Sequence, residues 1–194
     1  MTKCYIIAEA GVNHNGSEKL ALEMIDVASE SGADAIKFQT FKAIKLASKY
    51  SQTADYQKNN TNEVSQLSML KKLEISEKLH LKLFEKCKAL NIEFLSTPFD
   101  SDSAKFLIDL GMNKIKIASG EITNLPFIEE LSKFNVPMIL STGMSSLEEV
   151  KDAVFTIKNM RIKNKFSEPL SHILTLLHCT SNYPTKLQDL NLRA

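Results

Sequence analysis

The sequence has 194 residues, 24 Lys and Arg against 23 Asp and Glu, and a net charge of +1. That length suits one domain with a substantial core, and the balanced charge gives no support for binding nucleic acid or a membrane surface. No apolar run reaches the roughly 18 residues of a transmembrane helix. Three widely spaced cysteines with no C-x-x-C pair read as reduced thiols of a cytoplasmic protein.

The first predicted strand is Tyr5–Ala8, closely followed by Glu9. The N-terminus enters it without the longer apolar stretch of a secretory signal. His14 then lies in N-H-N-G, which reads equally as a turn closed by Gly16 or as part of a site. A helix is predicted over Ser17–Ser31, with Ser17 as N-cap and Gly32 just past its end. The second strand is Ala35–Phe38. A long polar connection, Gln39 to Ile75, follows, and such loops in compact domains are usually functional or disordered. Ser76 caps a helix over Ser76–Leu90, on which His80 reads as surface or partly buried packing.

Next come a strand at Ile92–Ser96, a helix at Ser101–Leu110 ended by Gly111, and a strand at Lys114–Ala118. A helix over Pro126–Phe134 precedes a strand at Met138–Leu140. Ser146 and Glu149 form an S-x-x-E capping box that opens a helix over Ser146–Met160. Arg161 to Ser171 reads as a surface loop, and Ile173–His178 as the last strand, with His178 packing behind the sheet. Met69, Met112, Met138 and Met144 read as core filler. The four histidines show no H-x-x-x-H spacing, so no metal site is evident.

Repeated β-α units imply an α/β fold with parallel strands covered by helices. Six strands leave two architectures open: an open doubly wound sheet, or the first three quarters of a (β/α)8 barrel.

The strand ends carry the chemical signal. Along one period-two face the strands finish in Glu9; Lys37 and Gln39; Thr97; Lys116; Ser141; and Cys179 and Ser181. In parallel α/β folds the C-terminal strand ends build the active site. Lysines on core-facing positions need an anionic partner, so Lys37 and Lys116 predict a polar pocket for phosphate or carboxylate. The run K-I-K-I-A-S-G-E (Lys114 to Glu121) adds a serine and a carboxylate beside Lys116. No G-x-x-x-x-G-K-[ST] and no G-x-G-x-x-G occur, which argues against a nucleotide-binding loop.

Six segments together resemble the sialic acid synthase family: I-I-A-E-A-G-V-N-H-N-G (Ile6 to Gly16), A-I-K-F-Q-T (Ala35 to Thr40), F-L-S-T-P-F (Phe94 to Phe99), K-I-A-S-G-E (Lys116 to Glu121), L-S-T-G-M (Leu140 to Met144) and H-C-T-S-N-Y-P (His178 to Pro184). The resemblance covers essentially the whole chain. It implies a TIM barrel, here incomplete with about six β-α units, forming a single synthase domain over residues 1–194. It also implies an enzyme that condenses phosphoenolpyruvate with an N-acetylated amino sugar to give a nonulosonic acid and phosphate. By position, Lys116, Ser119 and Ser141 would hold the phosphate, with help from Ser181 or Asn182. Lys37 and Thr97 would hold the carboxylate. Glu121, Gln39 and Tyr183 would face the sugar, Glu9 would support the pocket, and the loop around Tyr56 and Gln57 would add sugar contacts. Catalysis would fall to Glu121, Lys116 and Glu9, with Glu121 moving a proton.

The resemblance further implies a divalent metal, Mn or Mg, whose histidine ligands lie in a later S-D-H segment, so that none of the ligands is expected within this chain. A C-terminal antifreeze-like domain that lends an arginine across a homodimer is likewise expected outside it. The 194 residues alone are therefore expected to be nearly inactive. G-E-I-T-N-L-P and V-N-H-N-G favour the neuraminate and legionaminate branch over the pseudaminate branch. The alternatives are a barrel aldolase using Lys116 as a Schiff base and a non-catalytic anion-binding remnant.

Overall fold

The computed structural model describes residues 4–48, 65–180 and 185–192. The chain divides into two compact units, residues 1–110 and 111–194. Each is built on three parallel strands with helices in the connections.

In the first unit the strands are β1 (Ile7–Gly11), β2 (Ala35–Thr40) and β3 (Glu93–Pro98), hydrogen-bonded in the order β1-β2-β3. The helices are α1 (Glu18–Glu30), α2 (Ala43–Leu46), α3 (Gln66–Leu73), α4 (Glu77–Ala89) and α5 (Ser101–Leu110). Ser17 and Ser76 cap α1 and α4 as expected, their hydroxyls accepting the amides of Leu20 and Leu79. Each such cap contributes about 1 kcal/mol. The connection predicted as one long loop contains α2 and α3. Glu74 ties them, pairing with Lys42 at 3.2 Å and accepting the Ala43 amide at 2.9 Å.

β2 shows why the strands read so clearly. Ile36, Phe38 and Thr40 face the helices, and Lys37 and Gln39 the opposite side. Phe38 stacks on Phe94 with ring centroids 5.9 Å apart, and Phe84 meets Phe94 edge-on at 5.9 Å. The first strand was placed too early. It runs to Gly11 because Glu9 pairs with Lys37 and Gly11 with Phe38, leaving Ala10 as an extra residue. This is a β-bulge, and Gly11 sits at φ +52°, a conformation that favours glycine.

In the second unit β4 (Ile115–Ile117), β5 (Met138–Ser141) and β6 (Leu174–Leu177) pair in that order. A 3-10 turn (Ser119–Glu121) and helices α6 (Leu125–Leu131), α7 (Leu147–Lys163) and α8 (Leu170–Ile173) connect them. Ile115, Ile117, Leu140, Ile128, Leu131, Ala153 and Ile157 are its fully buried core. Burying each large aliphatic side chain contributes about 1.5–3 kcal/mol. The Ser146–Glu149 capping box forms as expected.

Four expectations fail here. Arg161 does not begin a surface loop, because α7 continues to Lys163. The buried Arg161 guanidinium donates to Asn135 Oδ1 at 3.2 Å and the Glu168 carbonyl at 3.0 Å, and lies 5.5 Å from the Phe166 ring centroid. Met144 is exposed, at φ +63°, rather than core filler. The last strand is shortened by α8. His178 is exposed and accepts the Asn191 amide at 3.4 Å instead of packing behind the sheet.

Among the described residues, no helix is long and apolar enough to cross a membrane. Strand order within each unit is common to both architectures left open by the sequence.

Candidate functional site

The first unit gathers four of the predicted residues. Lys37 and Thr97 are 7% and 3% exposed. Strand pairing sets Lys37 beside Glu9, and Gln39 beside Thr97, on one face. The Lys37 ammonium donates to Glu9 Oε1 at 2.9 Å and lies 2.7 Å from Oε2. It also donates to Thr97 Oγ1 at 3.3 Å. Gly11 belongs to the same group. A Cβ there would lie 3.1 Å from Glu9 Oε1 and 3.8 Å from Gln39 Nε2. Sequence reasoning missed this glycine, although a glycine within a strand is the ordinary sign of a bulge.

His14 is in the turn, and it is buried. Its Nδ1 accepts the Gly16 amide at 3.1 Å, so the proton of the neutral ring sits on Nε2. Nε2 is buried without a hydrogen-bond partner among the described residues. Burial lowers the His14 pKa below its ordinary value.

Behind the sheet, His80, expected as surface or partly buried packing, is buried at 1% exposure. Its Nδ1 bonds the Ser76 carbonyl at 3.0 Å and must carry a proton, because a carbonyl only accepts. Nε2 then accepts the Thr40 hydroxyl at 2.7 Å, and Thr40 Oγ1 accepts from Ser96 at 2.7 Å. The His80 pKa is lowered chiefly by burial. This relay joins the ends of β2 and β3 to α4. Helical periodicity did not reveal it, since His80 lies on a face that Leu83 and Cys87 also bury.

The second unit gathers Lys116, Ser119 and Ser141. Lys116, 7% exposed, donates to Ser141 Oγ at 2.6 Å and to the Ile117 carbonyl at 2.8 Å. Ser119 Oγ accepts the Gly143 amide at 2.9 Å. Each serine oxygen thus receives a proton from a fixed donor, which directs its own hydroxyl proton toward another acceptor. Lys116 and the two hydroxyls form a donor set suited to an oxyanion. Gly143 is the residue that sequence reasoning missed, because its contribution is a backbone N–H. A Cβ on Gly143 would stand 3.0 Å from Ser119 Oγ and 3.3 Å from Cys179 Cβ.

Glu121 follows β4 in the 3-10 turn and is partly exposed. Its carboxylate accepts from Asn124 Nδ2 at 2.8 Å, and Asn124 Oδ1 caps α6 at the Phe127 amide. Helix α6 therefore fixes Glu121 through its cap. Ser181, Asn182, Tyr183 and the Tyr56–Gln57 segment lie outside the described residues. Among the described residues, no group of three His, Cys, Asp or Glu side chains could hold a metal ion.

Comparison with known proteins matches this frame. The NeuB family model fits residues 24–194. The chain is 53% identical over 192 residues to N,N'-diacetyllegionaminic acid synthase of Legionella pneumophila, covering 98% of this chain and 52% of that protein. It is 47% identical over 195 residues to the protein of the same name from Campylobacter jejuni, covering 100% of this chain and 56% of that one. Among solved structures, it is similar to an N-acetylneuraminic acid synthetase of Leptospira borgpetersenii crystallised with citrate. The TM-score is 0.78 at 34% identity, covering 96% of this chain and 57% of the other. The chain thus spans about half the length of the curated relatives it matches. The structural likeness decides between the two architectures in favour of six β-α units of the TIM-barrel type.

Proposed function

This chain belongs to the NeuB family, and on that premise we propose that it serves the condensation of phosphoenolpyruvate with an N-acetylated amino sugar, giving a nonulosonic acid and phosphate. The observation that carries this reading is the pair of buried strand lysines, each hydrogen-bonded to a hydroxyl. An ammonium beside a hydroxyl suits a carboxylate or a phosphate. Lys37 and Thr97 take the carboxylate. Lys116, Ser119 and Ser141 take the phosphate, together with Ser181 or Asn182.

In the proposed reaction the enol carbon of phosphoenolpyruvate bonds to the aldehyde carbon of the open-chain sugar. Water adds at the phosphate-bearing carbon, and the carbon–oxygen bond to phosphate breaks. Ammonium and hydroxyl donors stabilise charge that develops on the departing phosphate. Glu121, oriented by Asn124, moves a proton at the aldehyde oxygen or the water, and Gln39 and Tyr183 orient the sugar. The divalent metal that the family resemblance implies finds no ligand cluster among the described residues. An acceptor with two acetamido groups, a 2,4-diacetamido-trideoxy hexose, is supported by the names of the 53% and 47% identical relatives, and N-acetylmannosamine is the simpler alternative. Homodimer formation and the cytoplasm complete the reading.

The 194 residues by themselves are expected to bind phosphoenolpyruvate but turn over little. The full protein should release phosphate when given phosphoenolpyruvate and the diacetamido sugar. Binding of phosphoenolpyruvate no tighter than that of a simple carboxylate would defeat the proposal. So would borohydride trapping of a keto substrate on Lys116, which is the mark of a Schiff-base aldolase.

A further inference from the structure

Lys37 is assigned to an incoming carboxylate, yet a carboxylate is already on it. Both Glu9 oxygens lie within 3 Å of the ammonium, at 2.9 and 2.7 Å, and the Thr97 hydroxyl accepts from it at 3.3 Å. Two of the ammonium's donors are thus directed at Glu9 Oε1 and Thr97 Oγ1, with Glu9 Oε2 also in ion-pair contact. A second carboxylate approaching Nζ meets the like charge of Glu9, which repels it.

The two partners differ in freedom. The Lys37 side chain is 9% exposed and held within the sheet, whereas that of Glu9 is 44% exposed. Glu9 can leave into solvent; Lys37 cannot follow. The bulge makes room for the closed arrangement. Ala10 is the extra residue, Gly11 adopts φ +52°, and its missing Cβ leaves the space beside Glu9 Oε1. A side chain at position 11 would compete with the Glu9 carboxylate for that space.

We propose that Glu9 is the resident counter-ion of Lys37, exchanged for the ligand's carboxylate on binding, with Gly11 as the residue that positions it. This deepens the proposed function and rests on its assignment of a carboxylate to Lys37. Glu9 neutralises a buried ammonium in the empty protein and is released only when a carboxylate arrives. The carboxylate of Glu9 then becomes available to the second substrate at the moment the first is in place.

The test is calorimetric titration of the protein and its Glu9→Gln variant with pyruvate, a carboxylate without phosphate, and with phosphoenolpyruvate. The variant should bind pyruvate about tenfold tighter, as loss of one partly exposed ion pair and its repulsion implies. Gly11→Ala should shift pyruvate affinity the same way by a smaller factor, and it serves as a second probe if Glu9→Gln folds poorly. Equal or weaker pyruvate binding by both variants, or none by any of the three proteins, overturns the exchange. A protein that binds phosphoenolpyruvate well while Glu9→Gln gains nothing for pyruvate loses this inference but keeps the proposed function. Tighter pyruvate binding by Glu9→Gln, with no preference for phosphoenolpyruvate in either protein, keeps the exchange and removes the phosphate assignment.

Discussion

Lys37 and Lys116 are each buried on a strand of their own unit, but they are held differently. Lys37 is met by the Glu9 carboxylate. Lys116 donates to the Ser141 hydroxyl and to the Ile117 carbonyl. The first arrangement neutralises a charge and must open for an anion. The second spends the charge on orienting Ser141 as a donor. One lysine is guarded, and the other is built into a donor array.

The largest expected effect tests that difference directly. Lys116→Met removes an ammonium and the group that orients Ser141, and should lower phosphate release by about a thousandfold, mostly in kcat. Lys37→Met should cost about a hundredfold and appear mainly in KM for phosphoenolpyruvate, because it acts on binding of the carboxylate. The comparison would collapse if steady-state kinetics showed the two variants changing kcat and KM in the same way.

A smaller effect belongs to the second unit alone. In Gly143→Ala the new Cβ crowds Ser119 Oγ, which must move by a few tenths of an ångström. KM for phosphoenolpyruvate should rise about tenfold, while pyruvate affinity, set by Lys37, stays level. A parallel loss of pyruvate binding would mean that the carboxylate and phosphate assignments are wrong.

The smallest effect concerns stability. The buried histidines His14 and His80 both lie in the first unit, while His172 and His178 in the second are exposed. Burial lowers the pKa of His14 and His80 below the ordinary 6.5. The unfolded chain therefore binds protons first as pH falls. Stability from these groups is complete above about pH 6.5 and declines below it, toward their lowered folded values. Hydrogen exchange, corrected for intrinsic rates, should show protection of the first unit falling as pH drops from about 7.5 to about 5.5. The second unit should change less, and His80→Gln should flatten the slope in the first.

What the sequence made legible follows from period-two geometry. Lys37, Thr97, Lys116 and Ser141 were found because alternation in a strand assigns each side chain a face, and the faces are as predicted. Ser119 and Glu121 came with them through adjacency to Lys116. Backbone contributions were not legible: the Gly143 amide is chemically invisible in a string of side chains. Gly11 was visible but unread, because placing the strand end at Ala8 hid the bulge. His80 and Arg161 were misjudged for a common reason. A polar side chain on a helix looks solvated until its hydrogen-bond partners, here Thr40 and Asn135, arrive from elsewhere in the chain.

The bulge at Gly11 has a bearing on protein engineering. Grafting the Glu9–Lys37 pair onto another parallel sheet by copying two side chains would fail, because on a regular ladder position 11 would carry a Cβ where the carboxylate rests. The transferable unit is three residues of one strand, Glu-Ala-Gly, set against the lysine of the next. Its defining part is the residue that contributes no side chain at all.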